Sequence, residues 1–180
     1  MVPEPCEATG THRHAEQVVW DDWVPQERAV LCFVRDDSLL LLIRKKRGLG
    51  AGKINGPGGR VQPGETAAVA AVRETREETG ICPRAVRRAG ELSFDFCDGY
   101  SLHCTVFVST AHSGRMHETA EAIPFWCPVD RIPFDQMWED DALWFPGLLA
   151  GEFFRGFFVF DGDSMLSHRL LMGPSAQSVE

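Results

Sequence analysis

The apolar residues of the chain fall mostly into short runs, which predicts a protein rich in β-strands. The runs at 29–34 and 39–43 are continuous and lie on either side of a few polar residues, which predicts a hairpin buried on both faces. Residues 92–96 alternate between apolar and polar and therefore predict a half-buried strand. The polar stretch 111–119 is expected to form a loop. Further strands are predicted at 100–109, 123–129, 157–160 and 165–171.

One long segment between these runs carries helix signals instead. No residue in 66–79 breaks a helix, the alanines there favour one, and Gly80 follows as a C-cap. At about 100° per residue, one side of this helix is expected to pack against the sheet. That side consists of Ala68, Val72, Thr75 and Thr79. A second, shorter helix is predicted to be capped by Asp140 or Asp141 and to run to about 149.

The first helix also carries an acidic cluster on a different side. Glu74, Glu77 and Glu78 lie about 130° from the predicted packing side. Like charges at these spacings destabilise a helix by a few tenths of a kcal/mol per pair, so helix stability does not require them. Divalent cations, in contrast, are bound by such carboxylate oxygens. Arg73 precedes Glu77 by four residues and is expected to hold that carboxylate in place.

A solvated acidic face is the simpler interpretation of such a cluster. Here, however, the helix follows a glycine loop at Pro57, Gly58 and Gly59, where the backbone can approach a ligand closely. Ala67 and Ala70 lie beside the acids and are expected to leave room for metal ions and a substrate. The coincidence of these features favours a metal site over a solvated face.

Composition excludes several other functions. The net charge of −8 argues against polymeric nucleic acid as a ligand, since phosphate backbones require a basic surface. No apolar run is long enough to span a bilayer, so no membrane association is expected. The six cysteines contain no CxxC pair and are expected to be reduced thiols in a cytoplasmic protein rather than a zinc site. The basic cluster at 44–47 is either a solvated strand end or, given the adjacent glycine loop, a phosphate-facing patch.

The length of 180 residues fits one domain. We expect it to span 27–172, preceded by a flexible extension at 1–26 and followed by a tail at 173–180. Trp20 and Trp23 are expected to pack the end of the extension against the domain.

The segment from Gly59 to Ile81 resembles the signature of the Nudix hydrolase family, G-x5-E-x7-R-E-U-x-E-E-x-G-U with U aliphatic. The matching residues are Gly59, Glu65, Arg73, Glu74, Glu77, Glu78, Gly80 and Ile81. The one departure is Thr75 at the first U position, a β-branched residue of similar bulk. A match at every fixed position is far more specific than an isolated glycine motif.

Similarity to this family implies an α/β/α sandwich with a mixed β-sheet. It also implies a site for Mg²⁺, or Mn²⁺, held by the Gly58 carbonyl and by Glu74, Glu77, Glu78 and the distant Glu121. Hydrolysis of a phosphoanhydride requires neutralised phosphate charge and an activated water, and such a metal provides both. Glu77, Glu78 or Glu121 could each act as the general base, and the four acids form the predicted catalytic set.

Outside the signature, residues 45–66 and 125–149 resemble the branch of the family that hydrolyses oxidised purine nucleoside triphosphates such as 8-oxo-dGTP. The resemblance implies substrate contacts from Lys45 at the phosphates, from Asn55, Trp138, Asp140 and Asp141 at the base, from Phe94 and Phe96 in the pocket wall, and from Gly58, Gly59 and Arg60 in the loop. It implies release of a monophosphate and pyrophosphate, and 2-hydroxy-dATP is a second expected substrate.

Physical chemistry supports these roles but leaves alternatives. A tryptophan ring stabilises a flat base by stacking, and an amide offers a purine edge both a donor and an acceptor. Trp138 and Trp144 could instead be core residues, Asp140 a helix cap and Asn55 a turn residue.

The chain also departs from this branch at three positions. Leu49 replaces a common phenylalanine, Pro57 a bulky residue and Ala122 a methionine, each of which alters the pocket. Alternative functions are hydrolysis of ADP-ribose or dinucleoside polyphosphates, and nucleotide sensing without catalysis. In every case the expected partner is a small nucleotide, and the protein is expected to be a monomer.

Overall fold

The computed structural model describes Ala15 and residues 18–174. Most of the predicted extension and nearly all of the predicted tail lie outside these residues. The described strands are β1 (Glu27–Asp36), β2 (Leu39–Lys45), β3 (Ile54–Asn55), β4 (Gly58–Arg60), β5 (Ile81–Arg84), β6 (Arg87–Phe96), β7 (Ser101–Ser109), β8 (Ala111–Gly114), β9 (Ala122–Pro128), β10 (Phe153–Asp161) and β11 (Ser164–Gly173). The helices are α1 (Ala67–Thr79), α2 (Asp141–Ala150) and a 3-10 turn at Phe134–Gln136.

A nine-stranded mixed sheet forms the centre of the described fold. Its main path runs β11-β10-β6-β7-β1-β2-β3, with β4 paired to β1 and β9 paired to β2. The β1–β7 and β6–β10 pairs are parallel, whereas the other pairs in this sheet are antiparallel. The predicted β1–β2 hairpin is confirmed, and the strands predicted in the regions of β6, β7, β10 and β11 form two further antiparallel pairs, β6–β7 and β10–β11.

The two helices lie on opposite faces of this sheet. Val30, Cys32 and Val34 of β1 pack in one core cluster with Ala70 and Ala71 of α1. Phe33, whose side chain leaves β1 on the other face, packs in the second cluster with α2 residues such as Trp144 and Phe145. The predicted α/β/α sandwich is therefore confirmed.

The packing side of α1 agrees only in part with the predicted one, because Thr75 and Thr79 are buried as expected but the other two residues are not. Ala68 and Val72 are only partly covered, whereas the buried residues are Ala70, Ala71, Thr75, Glu78 and Thr79. Thr75 and Thr79 can enter the interior because their hydroxyls donate to the carbonyls of Ala71 and Thr75, over 2.7 and 2.6 Å. A pattern of apolar residues does not reveal polar side chains that are buried because they hydrogen-bond to their own helix. Ala70 is completely buried, so the open space expected beside it is absent.

The predicted loop at 111–119 was partly wrong. Its first residues form β8, which pairs with β5 in a separate two-stranded sheet. Both strands are only four residues long, and β5 contains Pro83, so neither carries a clear alternating pattern. Within the residues that the structure describes, no helix combines the length and apolarity that a membrane crossing needs.

Candidate active site

One cavity of about 350 Å³ brings together residues from several distant parts of the chain. All ten residues predicted to contact a substrate line it: Lys45, Asn55, Gly58, Gly59, Arg60, Phe94, Phe96, Trp138, Asp140 and Asp141. Glu74, Glu77, Glu78 and Glu121 do not line this cavity but lie around its glycine-loop end, as the contacts below show. The cavity therefore has an aromatic end and an end that borders the acidic helix.

The predicted glycine loop is partly wrong, because Gly58–Arg60 form the short strand β4, which pairs with β1 and lies against α1. A two-glycine segment of three residues carries no strand pattern, and the name glycine loop is kept here for Pro57 to Arg60. A Cβ on Gly58 would lie 2.0 Å from the carbonyl oxygen of Val30, and a Cβ on Gly59 would lie 2.4 Å from the carboxyl carbon of Glu74. The backbone N–H of Gly58 donates to Oε2 of Glu78 over 2.9 Å. Glycine is required at position 58, where backbone atoms occupy the space of a side chain, whereas a side chain at position 59 would displace the Glu74 carboxylate.

Arg73 organises the acids around this loop. Its Nε lies 2.8 Å from Oε1 of Glu65, and its Nη1 lies 2.7 Å from Glu74 and 3.1 Å from Glu77. Its Nη2 also donates to the carbonyl of Arg60 over 3.1 Å. The hydrogen bond from Arg73 lowers the pKa of Glu65 to about 2. The expected Arg73–Glu77 contact is confirmed, and the same guanidinium also connects the acids to the loop.

Glu78 is the buried member of the acidic cluster, with only 3% of its surface exposed. Burial raises its pKa to about 7, and the negative charges of Glu74 and Glu121 act in the same direction. The N–H of Gly58 and the charge of Lys45 oppose this shift. The interpretation that Glu78 faces away from the packing side of α1 is therefore wrong, because the close approach of Gly58 covers it.

The carboxylate oxygens of the four predicted acids are suited to Mg²⁺ or Mn²⁺, but three of the four acids form ion pairs with arginines. Glu74 and Glu77 contact Arg73, and Glu121 forms an ion pair with Arg47. Among the described residues, no three acids, histidines or cysteines are arranged so that they could hold a metal as they stand. Metal binding by these acids would thus require side-chain rearrangement, which the 59% exposure of the Glu77 side chain and the 45% exposure of Glu121 permit.

The other end of the cavity is built around Trp138. Its ring meets Phe160 edge-on at a centroid distance of 5.6 Å, and Nζ of Lys53 lies 4.9 Å from its centroid. Its backbone N–H donates to Oδ2 of Asp141 over 3.0 Å. These contacts fix an indole at the cavity wall. Trp144, by contrast, is completely buried, so the alternative that it is a core residue is confirmed.

Asp140 and Asp141 are both 2% exposed. Oδ2 of Asp140 accepts a hydrogen bond from Nε1 of Trp144 over 2.9 Å, whereas Oδ1 has no partner among the described residues. Asp140 occupies the N-cap position of α2, as predicted, but its side chain makes no capping hydrogen bond. A buried acceptor without a partner, in the wall of a cavity, is suited to receive a ligand's hydrogen bond.

Burial raises the pKa of Asp140 to about 6. Burial, followed by the charge of Asp140, raises the pKa of Asp141 well above its usual range. Since like charges this close disfavour double ionisation, the pair can present one protonated and one ionised carboxyl near neutral pH. Oδ1 of Asn55 accepts from the N–H of Gly56 over 2.8 Å, which leaves the amide NH₂ group as its remaining donor.

Sequence reasoning missed two polar residues of the cavity wall, Glu27 and Tyr100. The Tyr100 hydroxyl donates to Oε2 of Glu27 over 2.6 Å, and the same oxygen lies 2.8 Å from Nε of Arg60. These residues are far apart in sequence and match no signature. Only the pairing of the strands brings them together.

The chain is similar in sequence to proteins of a known family. Residues 25–148 match the model of the NUDIX domain family. An "Oxidized purine nucleoside triphosphate hydrolase" of Danio rerio is 42% identical over 142 residues, which cover 78% of this chain and 91% of that protein; a protein of the same description from Mus musculus gives the same values.

The fold is similar to that of a solved structure from the same family. The crystal structure of a MutT protein from Bacillus halodurans is similar with a TM-score of 0.73 and 28% identity, over 80% of this chain and 97% of that one. The family match covers more than half of the chain, and the curated relatives match over most of their length. The chain therefore belongs to the Nudix hydrolase family.

Proposed function

We propose that this protein hydrolyses oxidised purine nucleoside triphosphates, 8-oxo-dGTP and also 2-hydroxy-dATP, to the monophosphate and pyrophosphate. The observation that carries the proposal is a single cavity that joins an indole and a buried acid pair to a glycine loop bordered by an acidic helix. The first end suits a purine and the second suits its phosphates. The similarity to proteins named as oxidized purine nucleoside triphosphate hydrolases supports the same substrate class.

In this proposal Trp138 stacks on the base while Asp140, Asp141 and Asn55 hydrogen-bond to its edge. Oδ1 of Asp140 has no partner among the described side chains and would gain one from the base. A protonated carboxyl donates and its ionised neighbour accepts, so exchanging the proton between the two acids lets one site accommodate purines with different edges. This account explains why two acids are buried side by side at considerable electrostatic cost.

At the other end, Lys45 contacts the phosphates and the Gly58–Gly59 backbone approaches them closely. Glu74, Glu77, Glu78, Glu121 and the carbonyl of Gly58 would hold divalent metal, Mg²⁺ or Mn²⁺. When bound, the metal neutralises phosphate charge and lowers the pKa of a water. One of Glu77, Glu78 and Glu121 takes the proton of the attacking water, and cleavage releases pyrophosphate from the nucleoside monophosphate.

We further propose that the protein acts as a monomer on free nucleotides in the cytoplasm. The net charge of −8 opposes binding to polymeric nucleic acid. Cys32 and Cys104 are buried thiols whose pKa is raised by burial, which makes them unreactive and compatible with a reducing compartment.

The direct test of the reaction is phosphate release from 8-oxo-dGTP in Mg²⁺, measured with and without inorganic pyrophosphatase. Signal only with the coupling enzyme identifies pyrophosphate as the product. Phosphate release without it would contradict the proposed cleavage. Turnover of ADP-ribose or a dinucleoside polyphosphate, with none of 8-oxo-dGTP, would assign the site to another Nudix substrate, and no turnover of any of them would favour nucleotide sensing.

A further inference from the structure

A short segment at the start of the domain contacts the cavity wall from outside the matched signature. It runs from Trp23 to Glu27, and its first two residues precede the part of the chain that matches the family model. Three of its five residues, Trp23, Gln26 and Glu27, contact the β6–β7 hairpin. This hairpin supplies aromatic side chains to the cavity, so the segment is connected to the proposed binding site.

Glu27 makes the most direct of these contacts. Its Oε2 accepts the hydroxyl of Tyr100 over 2.6 Å and lies 2.8 Å from Nε of Arg60. Tyr100 belongs to the turn after β6, Arg60 belongs to the glycine loop, and both line the cavity with Glu27. One carboxylate therefore connects two walls that are 40 residues apart in sequence. Burial and the bond to Glu27 raise the pKa of Tyr100 to about 12, so its hydroxyl remains a donor throughout the neutral range.

Gln26 and Trp23 attach the same hairpin at further points. The side-chain amide of Gln26 donates to the carbonyl of Gly99 over 2.6 Å, and its backbone N–H donates to Oγ of Ser101 over 3.0 Å. Nε1 of Trp23 lies 3.5 Å from Oδ1 of Asp95. Asp95 lies between Phe94 and Phe96, which line the cavity. The segment thus contacts both the strand that carries these rings and the turn that follows it.

The segment is itself anchored at its other end. Trp23 packs against Trp20 with ring centroids 5.2 Å apart, and Trp20 packs against Phe157 of β10 at 5.0 Å. Val18 is buried in the same small cluster. The segment is thus connected to β10 through Trp20 and to the β6–β7 hairpin directly, so it resists outward movement of the hairpin.

We propose that residues Trp23 to Glu27 are a positioning segment that fixes the width of the cavity mouth and thereby sets the affinity for the nucleotide. Glu27 is the central positioning residue, since its carboxylate contacts both Tyr100 and Arg60. The inference rests on the proposed function, because it assumes that the nucleotide enters this cavity. Among the described residues, the segment has no hydrogen bond, ion pair or ring contact with the acidic helix or with Asp140 and Asp141, so its loss should change binding rather than the chemical step.

The test compares Glu27→Ala with Glu27→Gln, Trp23→Phe and the control Val24→Ser in steady-state hydrolysis of 8-oxo-dGTP. Val24 is in the same segment but is 81% exposed, so its replacement should leave KM and kcat unchanged. Glu27→Ala should raise KM about tenfold, equivalent to about 1.4 kcal/mol, with kcat within about twofold of the parent. Trp23→Phe keeps an aromatic ring beside Trp20 but loses the N–H and part of the indole, and because the lost contact to Asp95 is long, a smaller rise in KM is expected.

Glu27→Gln supplies the decisive comparison, because its amide oxygen can still accept from Tyr100 and Arg60. Its KM should therefore lie close to that of the parent and well below that of Glu27→Ala. An unchanged KM in Glu27→Ala would overturn the proposal, as would a fall in kcat with KM unaltered. Equal KM values for the alanine and glutamine variants would also overturn it, since the loss would then not arise from the shared hydrogen bonds.

Amide hydrogen exchange of the β6–β7 hairpin separates this inference from the proposed function. Residues 94–102 should exchange faster in Glu27→Ala than in the parent and in Val24→Ser. Faster exchange together with an inactive parent protein would mean that the substrate assignment is wrong while the segment still fixes the hairpin. Unchanged exchange would show that the segment does not hold the hairpin, whatever the substrate.

Discussion

The backbone N–H of Gly58 donates a hydrogen bond to the buried carboxylate of Glu78 over 2.9 Å, across 20 positions of the chain. The bond depends on the close approach of the loop to β1, where a Cβ on Gly58 would meet the Val30 carbonyl at 2.0 Å. The loop and the acidic helix are therefore fixed relative to one another by a glycine and an acid together. This explains why both residue types are required at this spacing.

The first prediction concerns this acid. Glu78→Gln should lower kcat at saturating Mg²⁺ by at least about a hundredfold, because it removes one charge from the group of acids proposed to hold metal. The amide oxygen of glutamine can still accept from Gly58, so the fold should be retained. Steady-state kinetics and thermal unfolding check both parts, with Glu118→Gln on the exposed surface as the control. Parental turnover in Glu78→Gln would remove Glu78 from the catalytic set.

The second prediction tests the phosphate end of the cavity. Lys45→Ala should raise KM for the triphosphate about tenfold or more with a smaller effect on kcat, since its charged contact is made in both ground and transition states. Arg115→Ala removes an equal charge from an exposed position outside the cavity and is the matched control. Arg47, a nearby cation of the same basic cluster, is unsuitable as a control because it forms an ion pair with Glu121. Equal KM values for both variants would favour a merely solvated strand end.

The third prediction concerns the glycine loop. Gly59→Ala places a Cβ 2.4 Å from the Glu74 carboxyl carbon and should displace that side chain. We expect kcat to fall by about tenfold or more, since a carboxylate of the proposed metal site moves. Gly173→Ala is the matched control, because its Cβ would meet only a carbonyl oxygen at 4.0 Å. Comparable activity of both variants would show that Glu74 need not be held at its present position.

The fourth prediction follows from the raised pKa of Asp140, about 6 against about 4 in an unfolded chain. Below pH 4 the carboxyl of Asp140 is protonated in both the folded and the unfolded protein. Between pH 4 and 6 the unfolded protein has released this proton while the folded protein still holds it, so the free energy of unfolding falls as pH rises. Asp140→Asn cannot ionise and should lack this loss, so it should gain stability relative to the parent between pH 4 and pH 7.

Urea unfolding of both proteins at these two pH values measures this difference. The exposed Asp22→Asn is the control and should shift stability by the same small amount at either pH. A stability difference between Asp140→Asn and the parent that is independent of pH would contradict a raised pKa for Asp140.

Much of this architecture could be predicted because its signals are local. The strands flanking short turns, α1 with its glycine cap and the Arg73–Glu77 contact all follow from neighbouring residues. The burial of Glu78 could not be predicted, because it depends on how closely Gly58 approaches from another element. The same holds for the β5–β8 pairing and for the contacts of Glu27, which arise only when distant strands come together.

The measurement that tests the central claim most directly is kcat/KM for 8-oxo-dGTP, 2-hydroxy-dATP, dGTP and dATP, determined with the parent protein and with Asp140→Asn. A buried acceptor without a partner should favour the purine that satisfies it, and we predict a preference of more than about tenfold for each oxidised nucleotide over its normal counterpart. Asp140→Asn fixes the donor and acceptor pattern and should narrow this range of substrates. A parent protein that prefers dGTP, or an Asp140→Asn variant with every ratio unchanged, would contradict base recognition by the acid pair.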